Sequence, residues 1–163
     1  MSVEERLVEL GITLPDSSQS PNEVANEFYD AHVEPSRIVG SVLYLAGQVP
    51  ISNGQELFKG RYGADLTAED GYQAARLCAI NALGDIRRAV GSLDRVVQVI
   101  RMLAFINSVP DFTQHPQVAN GASDLMIEVF GDRGRHTRAA IGVTGMAAGH
   151  SVETVFTIQV RED

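Results

Sequence analysis

Residues 137–144, Thr-Arg-Ala-Ala-Ile-Gly-Val-Thr, and 151–160, Ser-Val-Glu-Thr-Val-Phe-Thr-Ile-Gln-Val, carry the pattern that decides the fold. Successive side chains of a strand point to opposite faces. In the first run Ala139, Ile141 and Val143 share one face, and Arg138, Ala140, Gly142 and Thr144 share the other. In the second, Val152, Thr154, Phe156 and Ile158 oppose Ser151, Glu153, Val155 and Thr157. The small, Gly-rich connection between the runs predicts a C-terminal hairpin. Pairing its apolar faces sets Arg138 and Glu153 together on the outward face. With the turn at 147–148, Arg138 falls near Thr157, which leaves about 13 Å to Glu153 at roughly 3.3 Å per residue. One small ligand spans that gap only with long side chains or a neighbouring subunit, so the face reads as a ligand shelf at an interface.

Working back from this hairpin, Val118, Ala122, Leu125, Met126, Val129 and Phe130 repeat at helical spacing before Gly131. Val96 to Ile106 reads as a strand. Thr67 is an N-cap with Glu69 and Asp70 in the first turn, and Tyr72, Ala75, Ala79, Leu83, Ile86 and Val90 form one apolar stripe ended by Gly91. Residues 38–47, nearly all apolar and β-rich, suit a pair of short strands or one buried strand, and Ser52-Asn53-Gly54 supplies a turn. Leu57 to Tyr62 reads as a short returning strand. Ser2 and Glu5 match a capping box ahead of Val3, Leu7 and Leu10, predicting a short helix docked through one stripe. Residues 15–22, Pro-Asp-Ser-Ser-Gln-Ser-Pro-Asn, read as a linker. The order β-β-α-β-α-β-β predicts an α+β chain, a mixed β-sheet with two helices packed on one face. It is one domain over 1–163, with 1–36 as N-terminal helical extension and linker and 37–163 as core.

Composition limits the function. The chain has 163 residues, 44% of them hydrophobic, enough for a core without disulfides or metals. One cysteine, Cys78, excludes an internal bridge and fits a reducing compartment. A net charge of −8 with scattered Lys and Arg opposes nucleic-acid binding, where phosphate contacts dominate affinity. No apolar run is long enough to span a membrane, and Met1 to Gly11 lacks signal-peptide character, so a cytoplasmic protein with no membrane partner is expected. The four histidines lack metal-ligand spacing, so neither a metal nor a cofactor is expected.

Arg138 suits a bidentate grip on a carboxylate, and Glu153 could orient or deprotonate a water. The alternative is a solvated strand-end arginine and an edge charge. His136 shares Arg138's face and borders it, or is a surface histidine. Asp132 to Arg135 is a solvated loop or a basic rim that steers anions. Cys78 reads as a small buried hydrophobe.

Leu43-Tyr44-Leu45-Ala46-Gly47-Gln48-Val49-Pro50, the helix after Asp65-Leu66-Thr67, and Thr137-Arg138-Ala139-Ala140-Ile141-Gly142-Val143 together resemble the RidA/YjgF reactive-intermediate deaminase family, also called endoribonuclease L-PSP. The resemblance runs from about residue 37 to the C-terminus. It implies a chorismate-mutase-like fold and a homotrimer with clefts between subunits. It also implies, for active members, hydrolysis of enamines and imines to 2-oxo acids and ammonia. By this resemblance Arg138 holds the substrate carboxylate, Glu153 positions the attacking water as the catalytic group, and Gly47 lines the cleft.

Four positions depart from the family pattern. Ala46 stands where the family has Ser, and Ala140 where it has the cleft Cys, so both would line the cleft without a polar group. Val33 falls at the usual Tyr, with Tyr29 nearby, and Pro110 falls where an Asn is expected. Keeping Arg138 while losing these groups favours binding of a small carboxylic acid over turnover. A non-catalytic metabolite-binding module is the alternative to an enamine/imine deaminase, and RNA cleavage stands third.

Overall fold

The computed structural model describes residues 1–16 and 31–162. Its elements are α1 (Val3–Glu9), β1 (Ser36–Val39), β2 (Val42–Leu45), β3 (Ile51–Ser52), β4 (Gln55–Glu56), α2 (Ala68–Val90), β5 (Val96–Asn107), α3 (His115–Phe130), β6 (Thr137–Val143) and β7 (Val152–Val160). The fold class is α+β with a mixed sheet, as expected, and α1 adds a third helix to the two that cover the sheet. No described helix is long and apolar enough to cross a membrane.

Local chemistry sets several boundaries where the sequence places them. Thr67 and Asp70 form a reciprocal capping box on α2, and Gly91 closes that helix at φ 80°. Ser2 and Glu5 do the same for α1, whose Val3 and Leu7 are buried. Of the two readings for residues 38–47, the pair of short strands is the one found. β1 and β2 pair antiparallel around Gly40, whose φ is 56°. Asn53 and Gly54, both at positive φ, form the turn between β3 and β4. Leu57 to Tyr62 is not a strand. It supplies only isolated bridges, Lys59 with His150 and Tyr62 with Leu66 and Ser108. Part of the 15–22 linker and Tyr29 lie outside the described residues.

The sheet order is β1-β2-β7-β5-β6, and this corrects the C-terminal hairpin. β6 and β7 do not pair. β5 lies between them, parallel to β6 and antiparallel to β7. The segment β5-α3-β6 is a βαβ unit, and residues 144–151 carry the chain across the end of β5. Two alternating runs joined by glycines look like a hairpin locally, but a long apolar central strand offers both of them a better partner.

The face assignment of β6 changes too. Arg138 is registered with Met102, and Met102 with Phe156; both are fully buried beneath the helices. Arg138, Ala140 and Gly142 therefore face α3, and Ile141, 47% exposed, sits on the opposite face. The small residues mark where a helix approaches: a Cβ on Gly142 would lie 2.5 Å from His115 Nε2. Glu153 is registered with Phe105, and Phe105 with Ile141, so Glu153 occupies the other face. Arg138 and Glu153 do not share a face.

The core lies between the sheet and α2 and α3, and Cys78 is fully buried within it. The two helices touch closely at Gly121, where a Cβ would lie 1.9 Å from the Tyr72 carbonyl oxygen. α1 is tied on by Val3 N–H donating to Asp94 (2.8 Å) and by Arg6 Nε donating to the Glu128 carbonyl (3.0 Å).

Candidate functional site

β6 presents Arg138 at the sheet margin, under the polar side of α3. One guanidinium nitrogen, Nη1, donates to Asn120 Oδ1 (2.9 Å) and to Ser123 Oγ (3.1 Å). Both acceptors are neutral, so the positive charge is positioned without being cancelled. No described carboxylate lies within ion-pairing distance of Arg138, and its Nε and Nη2 hydrogens have no described partner. That parallel N–H edge matches a carboxylate in bidentate geometry. Because arginine only donates, the Asn120 oxygen must face it, and the Asn120 amide N–H groups then point elsewhere.

Ser123 is shared. Its hydroxyl also meets His136 Nε2 at 3.0 Å, while His136 Nδ1 lies 2.6 Å from the Gly134 carbonyl. A carbonyl can only accept, so Nδ1 carries hydrogen, and in the neutral ring Nε2 accepts from Ser123. Burial holds His136 below the usual imidazole range; the bond to Gly134 opposes this, and the Arg138 charge adds to it. The chain Arg138–Ser123–His136–Gly134 is thus complete with His136 neutral.

Arg138, Asn120, Ser123 and His136 line a cleft of about 290 Å3, together with Asp124, Ile127 and Arg135. His136 borders it with Arg138, and Arg135 stands at its edge. Asn120, Ser123, Asp124 and Ile127 did not emerge from the sequence. Their signal is the i, i+3, i+4, i+7 spacing on the side of α3 away from its apolar stripe.

Glu153 belongs to a different place. It projects from β7 onto the face that no described helix covers, beside Phe105. A Cβ built on Gly47 would lie 1.7 Å from Glu153 Oε1, so glycine is what admits this carboxylate. Glu153 makes no hydrogen bond or ion pair with a described residue, and burial raises its pKa above the ordinary carboxylate value. Gly47 thus meets Glu153 rather than Arg138. Ala46 is half-buried beside it, its N–H donating to the Pro35 carbonyl (2.9 Å). Ala140 is half-buried, in phase with Arg138 and packed on the core. Val33 is 57% exposed. Two strand spacings and three residues of offset separate Arg138 from Glu153 by about 14 Å within one chain.

A third polar group of side chains surrounds His150, which is buried. Its Nε2 lies 3.3 Å from Glu56, which also pairs with Lys59. Burial lowers the His150 pKa, Glu56 opposing the shift and Lys59 adding to it.

Residues 4–157 match the family described as "YjgF/chorismate mutase-like, putative endoribonuclease". The chain is 41% identical over 123 residues to Protein TCP17 of Trypanosoma cruzi, covering 75% of this chain and 77% of that protein. Among solved structures it resembles Atu1372 of Agrobacterium tumefaciens, with 36% identity, coverage of 98% of this chain and 92% of that one, and a TM-score of 0.85. Escherichia coli TdcF with bound serine shares the fold at 19% identity, covering 81% of this chain and 90% of that one, with a TM-score of 0.57.

Proposed function

The chain belongs to the YjgF/chorismate mutase-like family, and from that premise we propose that it binds a small metabolite by its carboxylate at Arg138. The observation that carries this reading is the Nε–Nη2 edge of Arg138, which has no partner among the described residues and is fixed by neutral acceptors at the wall of a metabolite-sized cleft. Holding a guanidinium in place beforehand reduces the entropy lost when an anion arrives. That a protein of the same fold holds serine, which bears a carboxylate, supports the ligand class.

The assembly that fits this reading is a homotrimer with clefts between subunits, in the cytoplasm. The sheet face opposite the helices bears Tyr44, Leu103, Phe105, Ile141 and Val155, an apolar surface suited to a second copy of the chain.

Imine or enamine hydrolysis to a 2-oxo acid and ammonia is the second reading. Glu153 favours it: a carboxylate with no hydrogen-bond or ion-pair partner among the described residues and a raised pKa, packed on a glycine, suits a base that takes a proton from water. The missing Ser and Cys, replaced by Ala46 and Ala140, weigh the other way. With Arg138 and Glu153 on opposite faces, hydrolysis requires Glu153 from a neighbouring subunit. RNA cleavage ranks last, because a net charge of −8 repels the substrate.

A thermal-shift series with pyruvate and 2-oxobutyrate tests the binding reading. Saturable stabilisation of the wild type, absent in Arg138→Ala, is the expected result. No stabilisation by either acid contradicts it.

A further inference from the structure

The Arg138 cleft is lined by one anion, Asp124, as well as by the cations Arg138 and Arg135. Asp124, on α3, lines it with Arg138, yet the two do not form an ion pair. Asp124 is held instead by Tyr72, whose hydroxyl donates to Oδ2 at 3.0 Å. The close helix contact at Gly121 brings Tyr72 within reach. Oδ1 accepts nothing from a described residue. Burial, and then the bond to Asp124, keep the Tyr72 phenol protonated, so it remains a donor to the carboxylate.

Opposite charges lining one cleft normally neutralise each other. Here each is hydrogen-bonded by a different neutral partner, Arg138 by Asn120 and Ser123 and Asp124 by Tyr72, while Arg76 acts on Asp124 only through its charge. No described residue bonds the outward edge of either, Nε and Nη2 of Arg138 or Oδ1 of Asp124. Asn120 stands one helical turn before Asp124, so the two anchoring regions lie about 6 Å apart along α3. Ile127, one turn further on, gives the same cleft an apolar wall.

We propose that this cleft recognises a zwitterion, a small α-amino acid whose carboxylate meets Arg138 and whose ammonium meets Asp124. The inference rests on the carboxylate reading of Arg138 and adds selectivity to it. The free Arg138 edge takes the two carboxylate oxygens, with the Asn120 amide as a further donor. Asp124 Oδ1 accepts from the ammonium in a charge-assisted bond, and a short side chain lies against Ile127. A 2-oxo acid offers Asp124 no donor and brings its keto oxygen toward a carboxylate.

Calorimetric titration of the full chain with L-alanine and with pyruvate tests this, because the two differ only at C2. The wild type is expected to bind alanine about tenfold more tightly than pyruvate, the factor that one well-formed charged contact supplies. Asp124→Asn is expected to remove that preference, weakening alanine, which loses the charged contact, and tightening pyruvate, whose keto oxygen no longer meets a carboxylate, while Arg138→Ala loses both ligands. Pyruvate binding the wild type as tightly as alanine overturns the zwitterion site but leaves the carboxylate reading standing. So does an unchanged preference in Asp124→Asn. Neither acid binding the wild type overturns both. The wild-type comparison decides the matter even if a variant fails to fold.

Discussion

Arg138 and Glu153 face away from each other across one sheet, the first under α3 and the second on the face no described helix covers. In a single chain they cannot act on one small molecule. If the protein hydrolyses imines, its active unit combines Arg138 of one subunit with Glu153 of another. Mixed oligomers of Arg138→Ala and Glu153→Gln chains are then expected to recover part of the ammonia release that each variant lacks alone. Activity in an isolated monomer, or no recovery on mixing, contradicts the intersubunit arrangement.

Glu153 also carries a stability cost. Its pKa is raised by burial, so its stabilisation is present below the unfolded value and is lost as pH rises through the folded one. At neutral pH the ionised carboxylate, half-buried and without a described partner, opposes folding, and Glu153→Gln is expected to raise Tm there, with the gain vanishing as pH falls below the unfolded value of about 4.3. In a chain this size each kcal/mol appears as about 2–4 °C. Melting curves across pH check it; a lower Tm for the variant at pH 7 contradicts it.

The histidines act in the opposite direction. His136 and His150 both have lowered pKa values, chiefly through burial, so each stabilises the fold above the unfolded value of about 6.5. That contribution is lost as pH falls through the folded values. Tm is expected to drop on acidification below neutral pH, and the drop to shrink in His136→Asn, whose amide can still bond Ser123. An equally steep acid limb in that variant excludes His136 as a source.

Two glycines separate packing from function. A Cβ at Gly121 meets the Tyr72 carbonyl oxygen, which is backbone and cannot move without parting α2 from α3. Gly121→Ala is expected to cost about 3 kcal/mol or more. At Gly47 the Cβ meets the Glu153 side chain from Oε1 back to Cγ, and that side chain, unlike a backbone carbonyl, can change rotamer. Gly47→Ala is therefore expected to fold normally and to displace the Glu153 carboxylate. Denaturant melts of both variants distinguish the cases; equal losses contradict the assignment.

Local chemistry accounts for what could be read from the sequence. Thr67, Asp70 and Gly91 fix both ends of α2 within a few residues, and the period of β7 reports its buried face without knowledge of its partners. The partners of β6 are a different matter. Whether Arg138 points at a helix or at solvent depends on β5 entering between β6 and β7, a choice made by packing far along the chain. Ala140 and Gly142 are equally small under a helix and at an interface, so their size alone could not choose. Asn120, Ser123 and Asp124 were hidden for a related reason: a polar residue beside an apolar stripe looks solvated until an arginine arrives from another strand.

Titration of pyruvate into wild type, Arg138→Lys and Arg138→Ala shows whether Arg138 anchors a carboxylate. A ligand at about 100 times its Kd stabilises by about 2.7 kcal/mol, which is readable by melting as well as by heat. The wild type is expected to bind saturably, Arg138→Lys, which keeps the charge but loses the parallel edge, more weakly, and Arg138→Ala not at all. Equal binding by all three proteins would contradict it.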